Sequence, residues 1–309
     1  MPRQPRSRRA SILRLILAAA AAVVTLLVLS YLAIGAYIAT EATQPRRNTV
    51  LRSPDTLRLS YESVSFPSAE GGIELKGWFL PSSGNQPIVM VHGLDANRSI
   101  TNGRSLEVAK TLVDDGHPVL MFDLRGHGES GGERLGMAWK ERADVLGALT
   151  YLKGRGFGSA RFGIHGTSYG AATSLNATGL LPEVGAVIAD SSFYDFREVL
   201  SGEITRRTGL PPIFAPAITV FADLLYGLNL NQIQPFQHLA EIAPRPVFYI
   251  HQEGDPRIRA DHSIRLKAAG ANPADELWIV PGITHARAFE QEPAAYAERM
   301  LRFFRDHLK

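Results

Sequence analysis

Cysteine is absent from all 309 residues. That excludes a thiol nucleophile, a disulfide framework and thiolate metal sites, and it leaves the redox compartment open. No His-x-x-x-His pair and no cluster of carboxylates suggests a catalytic metal. No G-x-x-x-x-G-K-[ST] run argues for a nucleotide phosphate site, and no cofactor is expected. Internal repeats are lacking, and the only low-complexity tract is an alanine-rich stretch near the N-terminus.

Acidic residues are missing where basic ones crowd. Residues 1–14 hold Arg3, Arg6, Arg8, Arg9 and Arg14 and no Asp or Glu. Setting those five arginines aside leaves 28 basic residues against 30 acidic ones, so the pI of about 9.2 belongs to the tail. A nucleic-acid partner is therefore not expected. The tail runs into Leu15–Ala39, 25 uncharged and mostly apolar residues, enough to cross a ~30 Å hydrocarbon core as a tilted helix. With arginines before it and Glu41 first after it, the positive-inside tendency puts the N-terminus in the cytoplasm and the rest outside. The rival reading is a secretion signal cleaved near Ala33-Ile34-Gly35, but signal cores span only about 7–15 residues. Residues 40–56 are polar and aperiodic, contain Pro45 and Pro54, and read as a tether.

From residue 57 to 309 strands and helices alternate. Leu59–Phe66 and Ile73–Phe79 flank Gly71-Gly72 as a hairpin. Helical stretches at 106–115, 138–153 and 293–308 alternate with apolar strand segments at 88–91, 119–123, 160–165, 185–189, 246–251 and 277–280. This pattern predicts an α/β fold with a mainly parallel sheet covered by helices on both faces. Residues 191–245 show no strand pattern and are expected to form a small helical cap. The cap's apolar content includes Phe193, Phe196, Ile213, Phe214, Ile218, Phe221, Leu224 and Leu225. These side chains suit core packing, an acyl pocket, or contact with the membrane surface beside the anchor.

Chemistry concentrates in Gly166-Thr167-Ser168-Tyr169-Gly170, a G-x-S-x-G segment between an apolar strand and a run of small helical residues. A serine at such a turn takes a strained backbone that exposes its hydroxyl, and the amide of Tyr169 with the helix N-terminus faces the reacting centre. Serine needs a histidine base and a carboxylate to orient it. Asp255 follows the strand ending at His251, and His285 follows the strand ending at Val280. Both thus sit at the carboxyl edge of the sheet with Ser168, where open α/β sheets bind ligands.

Three further segments extend the pattern: Val91-His92-Gly93, Asp123-Leu124-Arg125-Gly126-His127-Gly128-Glu129-Ser130, and Asp190-Ser191-Ser192-Phe193. Together these motifs resemble the α/β-hydrolase superfamily, in its esterase, monoglyceride-lipase-like and serine-aminopeptidase-like branches. The resemblance covers residues 57–309. It implies a catalytic Ser168, Asp255 and His285, with the oxyanion held by the backbone amides of Tyr169 and Leu94. The segment His92-Gly93-Leu94-Asp95 departs from the lipase His-Gly-Gly-Gly run, which bears on Leu94 as a donor.

Asp190, Glu253 and Asp261 compete with Asp255 for the acid role. His92, His127, His165 and His251 suit structural hydrogen bonding, as do Asp123 and Arg125. The expected activity is cleavage of an ester or related acyl bond by a membrane-anchored serine hydrolase. A peptidase or amidase with the same triad, or a catalytically silent membrane-tethered binding protein, are the alternatives. Because the proposed catalytic groups all lie beyond Val91, a chain starting near Thr49 is expected to be soluble and active. The oligomeric state is left open.

Overall fold

The computed structural model describes residues 8–99, 104–158 and 161–308; Arg3, Arg6 and Ala160, the expected start of one strand, lie outside them. Eight strands form one sheet: β1 (Glu62–Pro67), β2 (Glu74–Leu80), β3 (Ile88–Val91), β4 (Val119–Phe122), β5 (Phe162–Thr167), β6 (Val184–Asp190), β7 (Val247–Gln252) and β8 (Glu276–Val280). Their order is β1-β2-β4-β3-β5-β6-β7-β8. β1, β2 and β4 pair antiparallel, and every pair from β4 to β8 is parallel. The strands β3 to β7 are buried at every residue, as expected when helices cover both faces of a parallel sheet.

The α-helices among the described residues are α1 (Arg8–Thr43), α2 (Ser105–Asp114), α3 (Arg142–Leu152), α4 (Tyr169–Thr178), α5 (Phe196–Thr208), α6 (Ala215–Tyr226), α7 (Leu239–Ile242), α8 (Asp261–Gly270), α9 (Ala288–Gln291) and α10 (Pro293–His307). On one face Leu149 of α3, Leu175 of α4 and Leu266 of α8 join a core with Val89, Ile164 and Val187. On the other, Leu106 of α2 and Phe303 and Phe304 of α10 pack on Ile88, Val119 and Phe248. Helix α3 starts four residues later than the periodicity predicts. Met137 and Ala138 take positive φ there, and the amide of Gly136 donates to the Glu141 carboxylate at 2.6 Å, so a turn replaces the first helical turn.

Helix α1 extends past the apolar run at both ends. From Ala10 to Leu32 its side chains stay mostly exposed, whereas Gly35, Ile38, Ala39 and Thr43 are buried. Thr43 meets Arg134 and Leu135, and the others pack on the cap between β6 and β7, chiefly α6. Tyr31 Oη donates to the carbonyl of Ile213 at 3.0 Å, Tyr31 stacks on Phe214, and the Thr40 hydroxyl and Tyr226 Oη lie 2.7 Å apart. Gly35 leaves room for the Ala217 side chain, which a Cβ at position 35 would strike. Beyond α1 the chain is also fastened. Arg47 donates to the carbonyls of Gly128, Ser130 and Gly132, and the Asn97 amide to those of Asn48 and Thr49.

Candidate active site

Ser168 occupies the turn between β5 and α4 with φ 54° and ψ −117°, a region that costs a non-glycine residue backbone strain. Surrounding contacts fix it there: its amide donates to the Asp190 carbonyl at 2.7 Å, and its carbonyl accepts from Ala172 at 3.1 Å. The flanking glycines are steric necessities. A Cβ on Gly166 would sit 2.6 Å from the Gly170 carbonyl, and one on Gly170 would collide with the carbonyls of Val91 and His92. Close approach of α4 to β3 therefore brings the hydroxyl out over the carboxyl edge of the sheet.

Two loops complete the arrangement. Ser168 Oγ lies 2.7 Å from His285 Nε2, and His285 Nδ1 lies 2.6 Å from Asp255 Oδ2. A proton held on Nδ1 by the carboxylate leaves Nε2 as an acceptor for the serine hydroxyl. All three residues are buried. Burial pushes the Asp255 carboxyl up, but hydrogen bonds from His251 and His285 and the Ile258 amide outweigh it and hold the group well below the usual range. The amides of Arg257 and Ile258 both donate to the other oxygen, Oδ1, at 2.8 and 3.1 Å. Asp190 does not meet His285. It accepts from Ser191 and from Tyr296 Oη at 3.0 Å, Tyr296 in turn meets His165 at 2.8 Å, and burial raises the Asp190 carboxyl. Glu253 is exposed, and Asp261 pairs with Arg259 at the start of α8.

Sequence reasoning missed Gln252. Fully buried at the end of β7, its side-chain oxygen accepts from the Thr284 hydroxyl at 2.9 Å and the Arg287 amide at 3.0 Å, one on each side of His285. Its amide nitrogen donates to Gln291 of α9. Nothing local marks a strand-end glutamine as the clamp of a loop 32 residues away.

The two expected oxyanion donors flank Ser168. Tyr169 opens α4, so its amide has no helical carbonyl to bond. Leu94 follows Gly93, where an added Cβ would lie 3.5 Å from the Ser168 Cβ. His92 orients that loop: its Nε2 accepts from the Leu124 amide at 3.0 Å, so its Nδ1 donates to the Gly93 carbonyl at 2.8 Å. In a trans peptide the Leu94 N–H points opposite to that carbonyl. Burial lowers His92 and His165 to about 4 and His127 to about 3, which keeps all three neutral. Asp123 accepts from the Arg98 and Glu129 amides and pairs with the Arg98 side chain, while Arg125 forks onto Asp144. Both tie loops together. The G-x-G-x-x-G spacing at Gly126–Gly131 leads into a loop rather than a helix, with Gly128 against the Asp123 carboxylate, so it is not a dinucleotide fold.

The sequence model of the alpha/beta hydrolase family matches residues 88–299. The chain belongs to the alpha/beta hydrolase family. It is 30% identical to the Bacillus subtilis protein YqkD over 242 residues, 77% of each chain. It is 28% identical to Escherichia coli YfhR over 255 residues, 79% of this chain and 80% of that one. Among solved structures it is similar to the Pyrococcus furiosus esterase Pf2001, with a TM-score of 0.72 at 24% identity, covering 86% of this chain and 98% of the esterase. The family supports a hydrolase, and the esterase shares the fold. This hydrolase has a cavity of about 280 Å³ beside Leu94, walled by α1, α5 and α6 and mostly apolar. Among the described residues, no group of three or more His, Asp or Glu is placed to hold a metal ion.

Proposed function

We propose that the protein is a membrane-anchored serine hydrolase that cleaves a carboxylic ester through an acyl-enzyme on Ser168. The observation that carries this reading is the unbroken chain Ser168 Oγ–His285 Nε2, His285 Nδ1–Asp255 Oδ2 at a strained strand-to-helix turn. His285 Nε2 takes the hydroxyl proton as Oγ attacks the acyl carbon. The carbonyl oxygen becomes an oxyanion facing the amides of Tyr169 and Leu94. Asp255 stabilises the imidazolium and stays ionised. The C–O bond to the leaving alcohol breaks as Nε2 returns the proton to its oxygen. A water, deprotonated by His285, then attacks the acyl-serine, and the acid leaves as Oγ recovers its proton.

The anchor reading is supported by one helix, Ala10–Thr43, long and apolar enough to span a bilayer. Burial of Gly35 against Ala217 speaks for an uncleaved segment, because cleavage near Ala33–Gly35 would sever α1 from its packing. The arginine tail then lies in the cytoplasm and the hydrolase domain outside it. The mostly apolar cavity beside Leu94 favours esters over peptides. The test is fluorophosphonate labelling together with turnover of matched ester and amide substrates. Ester cleavage dominating, with the label on Ser168, is the expected result. Dominant amide cleavage would make the protein a peptidase, and absent labelling would make it a silent binding protein.

A further inference from the structure

We infer that the end of the anchor helix is a wall of the acyl site, and that the hydrolase draws long-chain esters laterally from the bilayer. This inference rests on the esterase reading and adds the substrate class. The cavity beside Leu94 is lined by Ala39 and Ala42 of α1, Leu200 and Ile204 of α5 and Ile218 of α6. Its volume of about 280 Å³ is roughly twice the ~150 Å³ that admits a benzene ring. Glu203, a carboxylate in the lining, is paired with Arg206 and Arg257. A flexible apolar chain fits that lining better than a polar substrate.

The cap fixes where such a chain comes from. Contacts Tyr31–Ile213, just before α6, Gly35–Ala217 and Thr40–Tyr226 run in the same order along both segments, so α6 lies parallel to residues 31–40 of α1. When α1 spans a bilayer, α6 sits at the depth of its outer end. Its outward side suits that depth. Outside α1, eight large apolar side chains are exposed among the described residues, and four of them, Ile213, Val220, Leu224 and Leu225, belong to this one stretch. Cations stand at the same level beside the carboxylates of Glu41 and Asp223: Arg134 donates to the Thr40 carbonyl, Lys140 to the Tyr226 carbonyl, and Arg46 lines the cavity. Apolar residues below and cations above match acyl chains below anionic headgroups. An ester dissolved in the bilayer thus passes from hydrocarbon into an apolar cavity without crossing water.

The experiment uses the full-length protein in phosphatidylcholine vesicles, with 4-nitrophenyl palmitate in the bilayer and 4-nitrophenyl acetate in the water. Ala42→Phe and Leu200→Phe narrow the cavity from two separate helices. Each is expected to lower kcat/KM for palmitate at least about tenfold more than for acetate, the scale of a filled apolar pocket. Fluorophosphonate labelling of Ser168 at the unaltered level certifies an intact site in each variant. Val220→Glu with Leu224→Glu is expected to slow palmitate cleavage in vesicles more than in detergent micelles. An unchanged palmitate-to-acetate ratio in both cavity variants, or equal effects in vesicles and micelles, overturns the inference. Absence of acetate turnover and labelling in the unaltered protein would instead overturn the esterase reading beneath it.

Discussion

At the scale of single residues, the site divides into groups that would touch the reacting atoms and groups that hold them in place. Ser168→Ala is expected to lower kcat/KM by roughly 10⁴-fold or more without lowering the melting temperature, since the strained φ is imposed by surrounding contacts. Loss of labelling at Ser168 checks it, and persistent labelling on another serine would refute the assignment. Asp255→Asn should cost roughly 10³–10⁴-fold in kcat, because the oxygen stays on the Arg257 and Ile258 amides and an NH2 donor then faces Nδ1, favouring the tautomer with its proton on Nε2. Asp190→Asn should cost far less, because that carboxylate is bonded to Ser191 and Tyr296 and not to His285. Reversal of that order in steady-state kinetics would move the acid to β6. Gln252→Ala is expected to reduce kcat with KM nearly unchanged, because it frees the loop carrying His285 and touches no cavity wall.

At the scale of elements, the cap is fastened to the loop carrying Asp255 through Glu203 of α5, which pairs with Arg206 and with Arg257 at 3.1 Å. Burial alone would raise the Glu203 carboxyl, but the two guanidiniums outweigh it and lower it to about 2. A folded-state pKa below the unfolded value of ~4.3 means the stabilisation is complete above that pH and is lost as the pH falls toward the folded value. The melting temperatures of the unaltered protein and Glu203→Gln should therefore differ by a constant amount from pH 7 down to about 5 and converge near pH 2. A gap that widens on acidification would contradict the pairing. The α1–α6 contact is tighter still. Gly35→Leu should separate the helices and expose α6, detectable as faster proteolysis of the cap with the serine still labelled.

At the scale of the whole molecule, full-length protein is expected to stay in the membrane after high-salt and alkaline washing, since neither removes a spanning helix. Protease added to spheroplasts should reach the domain and spare residues 1–14. Release by salt alone would point to surface binding through the arginines. Removal of α1 is where the structure revises the expectation from sequence. A chain starting near Thr49 keeps the triad, yet it loses the α1 wall of the cavity and uncovers the face of α6 that buries Ile38 and Ala39. It should retain labelling of Ser168 and cleavage of short esters while losing most long-chain turnover and aggregating without detergent. Full long-chain activity in a monodisperse truncated protein would refute this.

What could be read from the chain itself was whatever is encoded over a few adjacent positions. Period-two and continuous apolar runs marked β1 to β8. The G-x-S-x-G turn marked Ser168, and placement just past the ends of β7 and β8 singled out Asp255 and His285. Parallel topology then brings strand ends to one edge, so order along the chain was sufficient to expect their meeting. The late start of α3 escaped because a carboxylate at Glu141 competes for the amide of Gly136, a contact that helical periodicity does not register. Gln252 and the packing of α1 against the cap escaped for a stronger reason. A strand-end glutamine is chemically unremarkable until two loops fold around it. The apolar end of α1 has the same composition whether it lies in lipid or against a cap 182 residues away. Local pattern determines which segments form strands, turns and helices. Only the packed structure decides which surfaces of those elements face each other, because burial depends on every distant segment that competes for the same face.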